Sequence, residues 1–105
     1  MTLEALKAVL EGTGLPTVYG SWPAGAAPAL PWLCFRALGS DNLFADGDVY
    51  STGVPAREEL YSRRKDPAAE DLVEYALSIA GIPWEKTETF VQSEDCNLIT
   101  YEIEV

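Results

Sequence analysis

The chain has 105 residues, of which 48% are hydrophobic and 23% are charged, so its length and composition fit one folded domain and exclude a disordered chain. Its 7 basic and 17 acidic residues give a formal net charge of −10 at pH 7. This charge disfavours binding to nucleic acid and to anionic membranes, because affinity for both comes chiefly from Lys and Arg. We therefore expect a single domain over residues 1–105 with a solvated acidic surface.

The two cysteines, Cys34 and Cys96, are far apart and lie in apolar strand-like runs, where Cys behaves as a small hydrophobic residue. The residues that follow Met1 lack the basic and apolar regions of a signal peptide. No apolar run approaches the roughly 18 residues that a membrane span requires. We therefore expect a protein of the cytoplasm with no disulfide framework and no membrane partner.

The first third of the chain is predicted to contain a helix, a short strand and a loop. Residues 2–11 form an amphipathic helix, because three leucines recur at helical spacing, Thr2 can cap the helix and Gly12 ends it. A brief strand is predicted at 15–19. Residues 20–31 contain three prolines, which exclude a helix and remove donors from a strand ladder, so an extended loop is expected there.

This loop is unusually apolar for a segment whose backbone groups need water. Two explanations are open: a neighbouring subunit covers the loop, or Trp22 folds back on its own domain. Trp22 and Leu30 are therefore candidate protein-contact residues.

An acidic segment follows the strand predicted at 32–38, in which Leu33 and Phe35 share one face. A calcium-binding loop beginning at Asn42 is disfavoured, because Gly53 stands where that loop requires a bidentate Glu. A turn explains the same residues. The candidate protein-contact residues of this segment are Asp41, Phe44, Asp46 and Asp48.

Residues 49–62 are predicted to be extended, with an interruption near Pro55, which must lie at a strand start, an edge or a bulge. The second half of this stretch carries Arg57, Glu58 and Glu59. We therefore expect residues 56–62 to form an edge strand or a strand that faces water on one side.

The best-defined element is a helix at residues 67–80. Asp66 is positioned to cap it, Pro67 fits its first position, and Gly81 ends it. The residues of its predicted apolar face are Leu72, Val73, Ala76, Leu77 and Ala80.

Two strands joined by a turn at 92–95 complete the chain. Residues 85–91 are rich in Thr, and apolar and polar residues alternate over 97–105, as is typical of a half-buried strand. Together the elements predict an α+β domain with a small mixed or antiparallel sheet and two helices packed on it. The predicted order is α-β-β-β-β-α-β-β.

The sequence offers little catalytic chemistry. It contains no histidine, the commonest general base and neutral metal ligand, and no nucleophile elbow or phosphate-binding glycine motif. Glu58 and Glu59 are neighbours in a predicted strand and point to opposite faces, so they do not form an acid/base pair. We expect neither an enzyme nor a bound cofactor or metal.

A run of three cations, Arg63, Arg64 and Lys65, precedes the second helix. The run could contact a phosphate or an acidic partner, but such a run is more often a solvated loop. Arg63 and Arg64 are kept as candidate protein-contact residues.

Several segments resemble small tail-assembly proteins of siphophages and prophages, known as tail terminators or as tail completion and tail-to-head joining proteins. The resemblance extends over nearly the whole chain. The segments that carry it are MTLEAL at 1–6, LPTVYG at 15–20, ELYS at 59–62, KDP at 65–67, WEKTET at 84–89 and YEIEV at 101–105.

The resemblance implies a structural subunit of the virion, assembled in the bacterial cytoplasm. It implies a ring, typically of six copies, that caps the tail tube at its head-proximal end, stops tube polymerisation and docks the head connector. The implied partners are the major tail tube protein and head-connector proteins, and DNA would pass through the ring without specific binding. The charge of −10 suggests an alternative, an acidic inhibitor or DNA mimic, although the carboxylates are dispersed along the chain.

Overall fold

The computed structural model describes residues 2–38 and 55–104. This part of the chain forms an α+β fold, as predicted. Its elements in chain order are α1 (Leu3–Glu11), β1 (Thr17–Tyr19), β2 (Trp32–Ala37), β3 (Pro55–Ser62), α2 (Pro67–Ile79), β4 (Glu85–Val91) and β5 (Cys96–Glu104), with a short 3₁₀ turn at Gln92–Glu94.

Three of the four strands predicted before the second helix are described. The remaining stretch, residues 49–54, lies outside the described residues, as does the acidic segment at 39–48. The other element boundaries agree with the predictions to within two residues. Neither α1, with 9 residues, nor α2, with 13, is long and apolar enough to cross a membrane.

The five strands form one mixed sheet in the order β1-β2-β3-β5-β4. β1 is parallel to β2, and the other neighbours are antiparallel. β3 therefore lies at the centre of the sheet, and the expectation that it is an edge strand is wrong. The alternative expectation was a strand that faces water on one side. It agrees with the alternation along β3, in which every second residue faces away from the helices. Pro55 begins β3, one of the positions predicted for it.

Side-chain caps start both helices where the sequence indicates. The Thr2 Oγ1 accepts a hydrogen bond of 3.0 Å from the Ala5 N–H, and the Asp66 Oδ1 accepts one of 3.1 Å from the Ala69 N–H. Each cap satisfies one backbone donor that the first helical turn leaves without a partner, and such a cap typically contributes about 1 kcal/mol. Pro67 occupies the start of α2, where its missing N–H costs nothing.

Both helices contribute to the core on one face of the sheet. Leu6 and Leu10 of α1 and Val73 and Leu77 of α2 are fully buried. Burying a side chain of this size stabilises the fold by roughly 1.5–3 kcal/mol. The sheet residues of the same core are Leu33, Phe35, Ala56, Leu60, Ile99, Tyr101 and Ile103.

No helix of the described chain covers the opposite face of the sheet, which we call the open face. Strand alternation assigns its residues, since they alternate with the core residues of the same strands. The open face consists of Trp32, Cys34 and Arg36 of β2, Arg57, Glu59 and Tyr61 of β3, and Leu98, Thr100 and Glu102 of β5.

Candidate protein-contact surface

Three aromatic side chains cluster at one end of the open face. Trp32 and Tyr61 are directly opposite each other on β2 and β3, with ring centroids 4.7 Å apart. Trp22 meets Trp32 edge-on at 5.9 Å. Aromatic pairs at such distances contribute about 0.5–1.5 kcal/mol beyond their buried area. Trp22 therefore folds back on its own domain, the second of the two explanations, and fixes the loop at 20–31 against the sheet.

The loop at 20–31 and the end of the sheet enclose a groove of about 540 Å³, which we call the aromatic groove. Leu30, one of the predicted contact residues, contributes to its wall. The groove is mostly apolar, with one carboxylate at its rim. Its lining residues are Ala27, Pro28, Leu30, Trp32, Tyr61, Val91, Glu94 and Cys96.

Glu59 organises the polar groups beside this groove. Its Oε1 accepts hydrogen bonds of 3.3 Å from the Cys34 Sγ and from the Tyr61 hydroxyl. Burial, and then the neighbouring Glu59, raise the pKa of the Cys34 thiol to about 12. The same two causes, burial first, raise the pKa of Tyr61. Both groups therefore keep their protons at neutral pH, and Cys34 lacks the thiolate that a nucleophile needs.

Arg63 and Arg64 lie at the same end of the sheet, directly after β3. The Arg64 Nη1 is 3.4 Å from the Asp95 Oδ1 in the turn between β4 and β5. Both partners of this ion pair are well exposed, so it contributes little to stability. Arg63 forms no ion pair with any residue in 2–38 or 55–104. An exposed cation thus lies at the end of the sheet that carries the aromatic groove.

The structure brings four of the eight predicted contact residues to one end of the sheet: Trp22, Leu30, Arg63 and Arg64. At the opposite end of the sheet, where β2 ends and β3 begins, the Leu38 N–H donates a hydrogen bond of 2.9 Å to the Pro55 carbonyl. The other four predicted contact residues lie outside the described residues; they are Asp41, Phe44, Asp46 and Asp48.

An apolar stripe on α2 is a surface that the sequence reasoning missed. Leu72, Tyr75 and Ile79 are 45%, 70% and 71% exposed, and their spacing of three and four residues aligns them along one side of the helix. We call these three residues the α2 stripe. The prediction that Leu72 belongs to the buried face is wrong, because it lies about 100° around the helix from Val73, which faces the sheet. The spacing alone could have revealed this second apolar stripe.

The buried carboxyl of Glu58 was also missed. Its side chain is 0% exposed, and neither oxygen has a hydrogen-bond partner among the described residues. In the sheet it lies between Phe35 of β2 and Tyr101 of β5. Burial raises its pKa to about 8, because the apolar surroundings disfavour the charged form.

A network of ion pairs and hydrogen bonds connects α2 to the sheet. The buried carboxylate of Glu70 accepts a hydrogen bond of 3.1 Å from the Lys86 Nζ, and its Oε2 forms an ion pair with the Lys65 Nζ at 2.8 Å. Glu74 accepts from the Lys86 Nζ at 2.7 Å and from the Tyr101 hydroxyl at 2.9 Å. Burial opposes the ionisation of Glu74, but the hydrogen bonds from Lys86 and Tyr101 outweigh it and lower its pKa. The network neutralises two acidic side chains of the helix inside the domain.

The edge strand β4 pairs only with β5 in the described part of the chain, and almost all of its residues are exposed. Lys86 and Glu88 belong to this strand. Charged side chains on an edge strand disfavour pairing with a further strand. The aromatic groove and the α2 stripe are therefore better suited than this edge to contact another protein.

Residues 2–38 and 55–104 contain no group of three or more Cys, Asp or Glu side chains placed to hold a metal ion. Comparison with known proteins gives no match among family models, curated proteins or solved structures.

Proposed function

We propose that this chain is a structural subunit of a siphophage or prophage tail. In this role, several copies form a ring that caps the head-proximal end of the tail tube, ends tube polymerisation and provides the surface on which the head connector docks. The sequence resemblance described above supports this role. The ring would reside in the virion, and DNA would pass through it.

The observation that carries the proposal is the open face of the sheet. A sheet with one face in water normally turns polar residues outward. Here the outward residues at one end include Trp32, Tyr61 and Leu98, and the apolar loop at 20–31 packs beside them. An apolar end of a sheet face that the helices leave uncovered suits a subunit whose function is to bind other protein surfaces.

The charge of the chain supports the same role. A net charge of −10 repels the phosphates of DNA, so a ring of such subunits would let DNA pass without holding it. The charge also limits loose association between copies, which leaves specific apolar contacts to decide assembly.

The proposal can be tested with tail tubes assembled from the major tail protein that is encoded with this chain. Added during polymerisation, the chain should shorten the tubes and should be found at one tube end in electron micrographs. The groove variant Leu30→Asp should cap poorly. The matched control is Ala24→Asp, an equal change of charge at an exposed position of the same loop. Tubes of unchanged length with no chain at their ends would refute the proposed role.

The alternative of an acidic inhibitor rests on the net charge alone. Among the described residues, Glu70, Glu74 and Glu88 are paired with Lys65 or Lys86 and do not form an open array of carboxylates. An inhibitor of a DNA-binding protein should bind that basic protein tightly at low salt and weakly at high salt. Titration of a basic DNA-binding protein over a range of salt concentrations distinguishes this alternative from tube capping.

A further inference from the structure

Resting on the proposed ring-forming role, we propose that the aromatic groove of one copy receives the α2 stripe of a second copy of this chain. Each contact between copies then joins two different surfaces. The groove is the acceptor, and Tyr75 and Ile79 are the side chains inserted into it.

The positions of the two surfaces favour a contact of this kind. The aromatic groove lies on the open face, and the α2 stripe lies on the outer side of the helical layer, so the sheet and its core separate them. The stripe of one copy therefore cannot reach the groove of the same copy. A contact between unlike surfaces on opposite sides of a subunit repeats from copy to copy, and it closes into a ring when the rotation between copies permits.

The shapes and chemistry of the two surfaces match. Tyr75 and Ile79 are the two most exposed large apolar side chains of the described residues, and both belong to α2. The groove, of about 540 Å³, is walled by Pro28 and Leu30 on one side and by Trp32 on the sheet side. An aromatic ring such as that of Tyr75 gains favourable edge-on contacts in a pocket of this composition.

Charge supports the same pairing. Asp71 adjoins the stripe at Leu72 and is exposed, while Arg63 lies at the groove end of the sheet without an ion-pair partner in the described chain. Glu94 at the groove rim repels a second carboxylate, so Asp71 is expected on the Arg63 side. Each copy carries a net charge of −10, so two copies repel each other. This repulsion is weakest when they meet through uncharged side chains such as those of the α2 stripe.

Sedimentation of purified variants tests this contact without tail tubes. Ile79→Asp removes the stripe and Leu30→Asp removes the groove, and each variant alone should lose at least tenfold in association constant. Mixed in equal amounts, the two variants should form a dimer and nothing larger, because one copy retains an intact groove and the other an intact stripe. The matched controls, Ser78→Asp on the same helix and Ala24→Asp in the same loop, should assemble like the unmodified chain.

Tyr75→Asp and Pro28→Asp serve as second variants of the stripe and groove, and circular dichroism verifies that each variant is folded. An unmodified chain that stays monomeric at millimolar concentration would overturn the contact, as would a mixture that does not dimerise. If Ile79→Asp loses assembly while Leu30→Asp keeps it, the contact instead joins the α2 stripes of two copies. Tube capping by a chain that lacks the groove–stripe contact would remove only this inference, and a ring that fails to cap tubes would remove only the proposed function.

Discussion

Glu58 and Glu59 are adjacent in β3, yet their carboxyl groups lie on opposite sides of the sheet in opposite surroundings. Glu59 lies on the open face and accepts two hydrogen bonds, from Cys34 and Tyr61. Glu58 lies in the core beneath the helices, where neither oxygen has a partner among the described residues. The strand repeat of two thus gives one carboxyl a polar environment and leaves the other in an apolar one.

Replacing Glu58 with Met should stabilise the domain, and the gain should grow with pH. The pKa of Glu58 is about 8 in the folded state, against an ordinary value of 4.5, so between these pH values the unfolded chain releases a proton that the folded chain retains. The free energy of unfolding of the unmodified chain should therefore fall as pH rises from 4.5 to 8. We expect Glu58→Met to gain roughly 2–4 kcal/mol at pH 8.

Urea unfolding at pH 4.5, 6 and 8 measures this effect as the difference between the two proteins at each pH. Glu58→Gln is the control, since it removes the titration and keeps a polar group in the core. A difference in unfolding free energy that does not change with pH would contradict the raised pKa.

Lys86→Met should destabilise the domain by roughly 1–3 kcal/mol. The substitution keeps an apolar stem but removes the cation that bridges Glu70 and Glu74, which leaves a buried carboxylate with less compensation. Lys7→Met is the matched control, because the Lys7–Glu11 pair spans 3.9 Å and both of its side chains are about half exposed. The control should change stability by less than about 0.5 kcal/mol. Equal shifts of the urea midpoints of the two variants would show that the ion pairs of Lys86 contribute no more to stability than the exposed Lys7–Glu11 pair.

Glu74→Gln should cost about 1 kcal/mol at pH 7 and progressively less in acid. The lowered pKa of Glu74 means that its ionised form stabilises the folded state. This contribution is present above the ordinary carboxyl value and is lost as pH falls through the folded pKa. Thermal unfolding of both proteins from pH 7 to pH 3 should show the two stability curves converging. Curves that run parallel throughout this range would argue against an ionised Glu74.

Trp22→Ala should release the loop at 20–31 from the sheet. Trp22 packs edge-on against Trp32, and removal of this partly buried ring should cost about 1–2 kcal/mol. Limited proteolysis of the native protein should show faster cleavage within 20–31, while cleavage elsewhere stays the same. Ser21→Ala, a change at the exposed neighbouring position, is the control. Unchanged cleavage of the loop would mean that Trp22 does not anchor it.

Local rules predicted most of the elements correctly. Asp66 and Pro67 mark the start of α2, and the alternation of apolar and polar residues marks β5, because caps and strand periodicity depend on neighbouring residues only. The central position of β3 was not predictable in this way. Its carboxylates suggested an edge, and its neighbours in the sheet are set by pairing between residues far apart in the chain.

The two apolar stripes of α2 also show what local sequence rules cannot predict. The helix carries one apolar stripe through Val73 and Leu77 and a second one, the α2 stripe, through Tyr75 and Ile79. Periodicity alone does not decide which stripe faces the sheet. The stripe that faces the sheet lies beside Glu70, whose ion-pair partner Lys86 comes from a later strand. The aromatic groove likewise needs residues from four strands, a loop and the turn between β4 and β5, so only the assembled fold reveals it.

The helices cover only one face of the sheet, and this asymmetry bears on how many copies a ring would hold. With the groove on one side of the domain and the α2 stripe on the other, the angle between successive copies in the proposed ring would depend on the packing of the layers between these two surfaces. In the proposed contact, the packing of Leu10 and Leu77 in that core would affect the curvature of the ring. A substitution that changes the volume of this core should therefore change the number of subunits in the ring more readily than the association constant between copies.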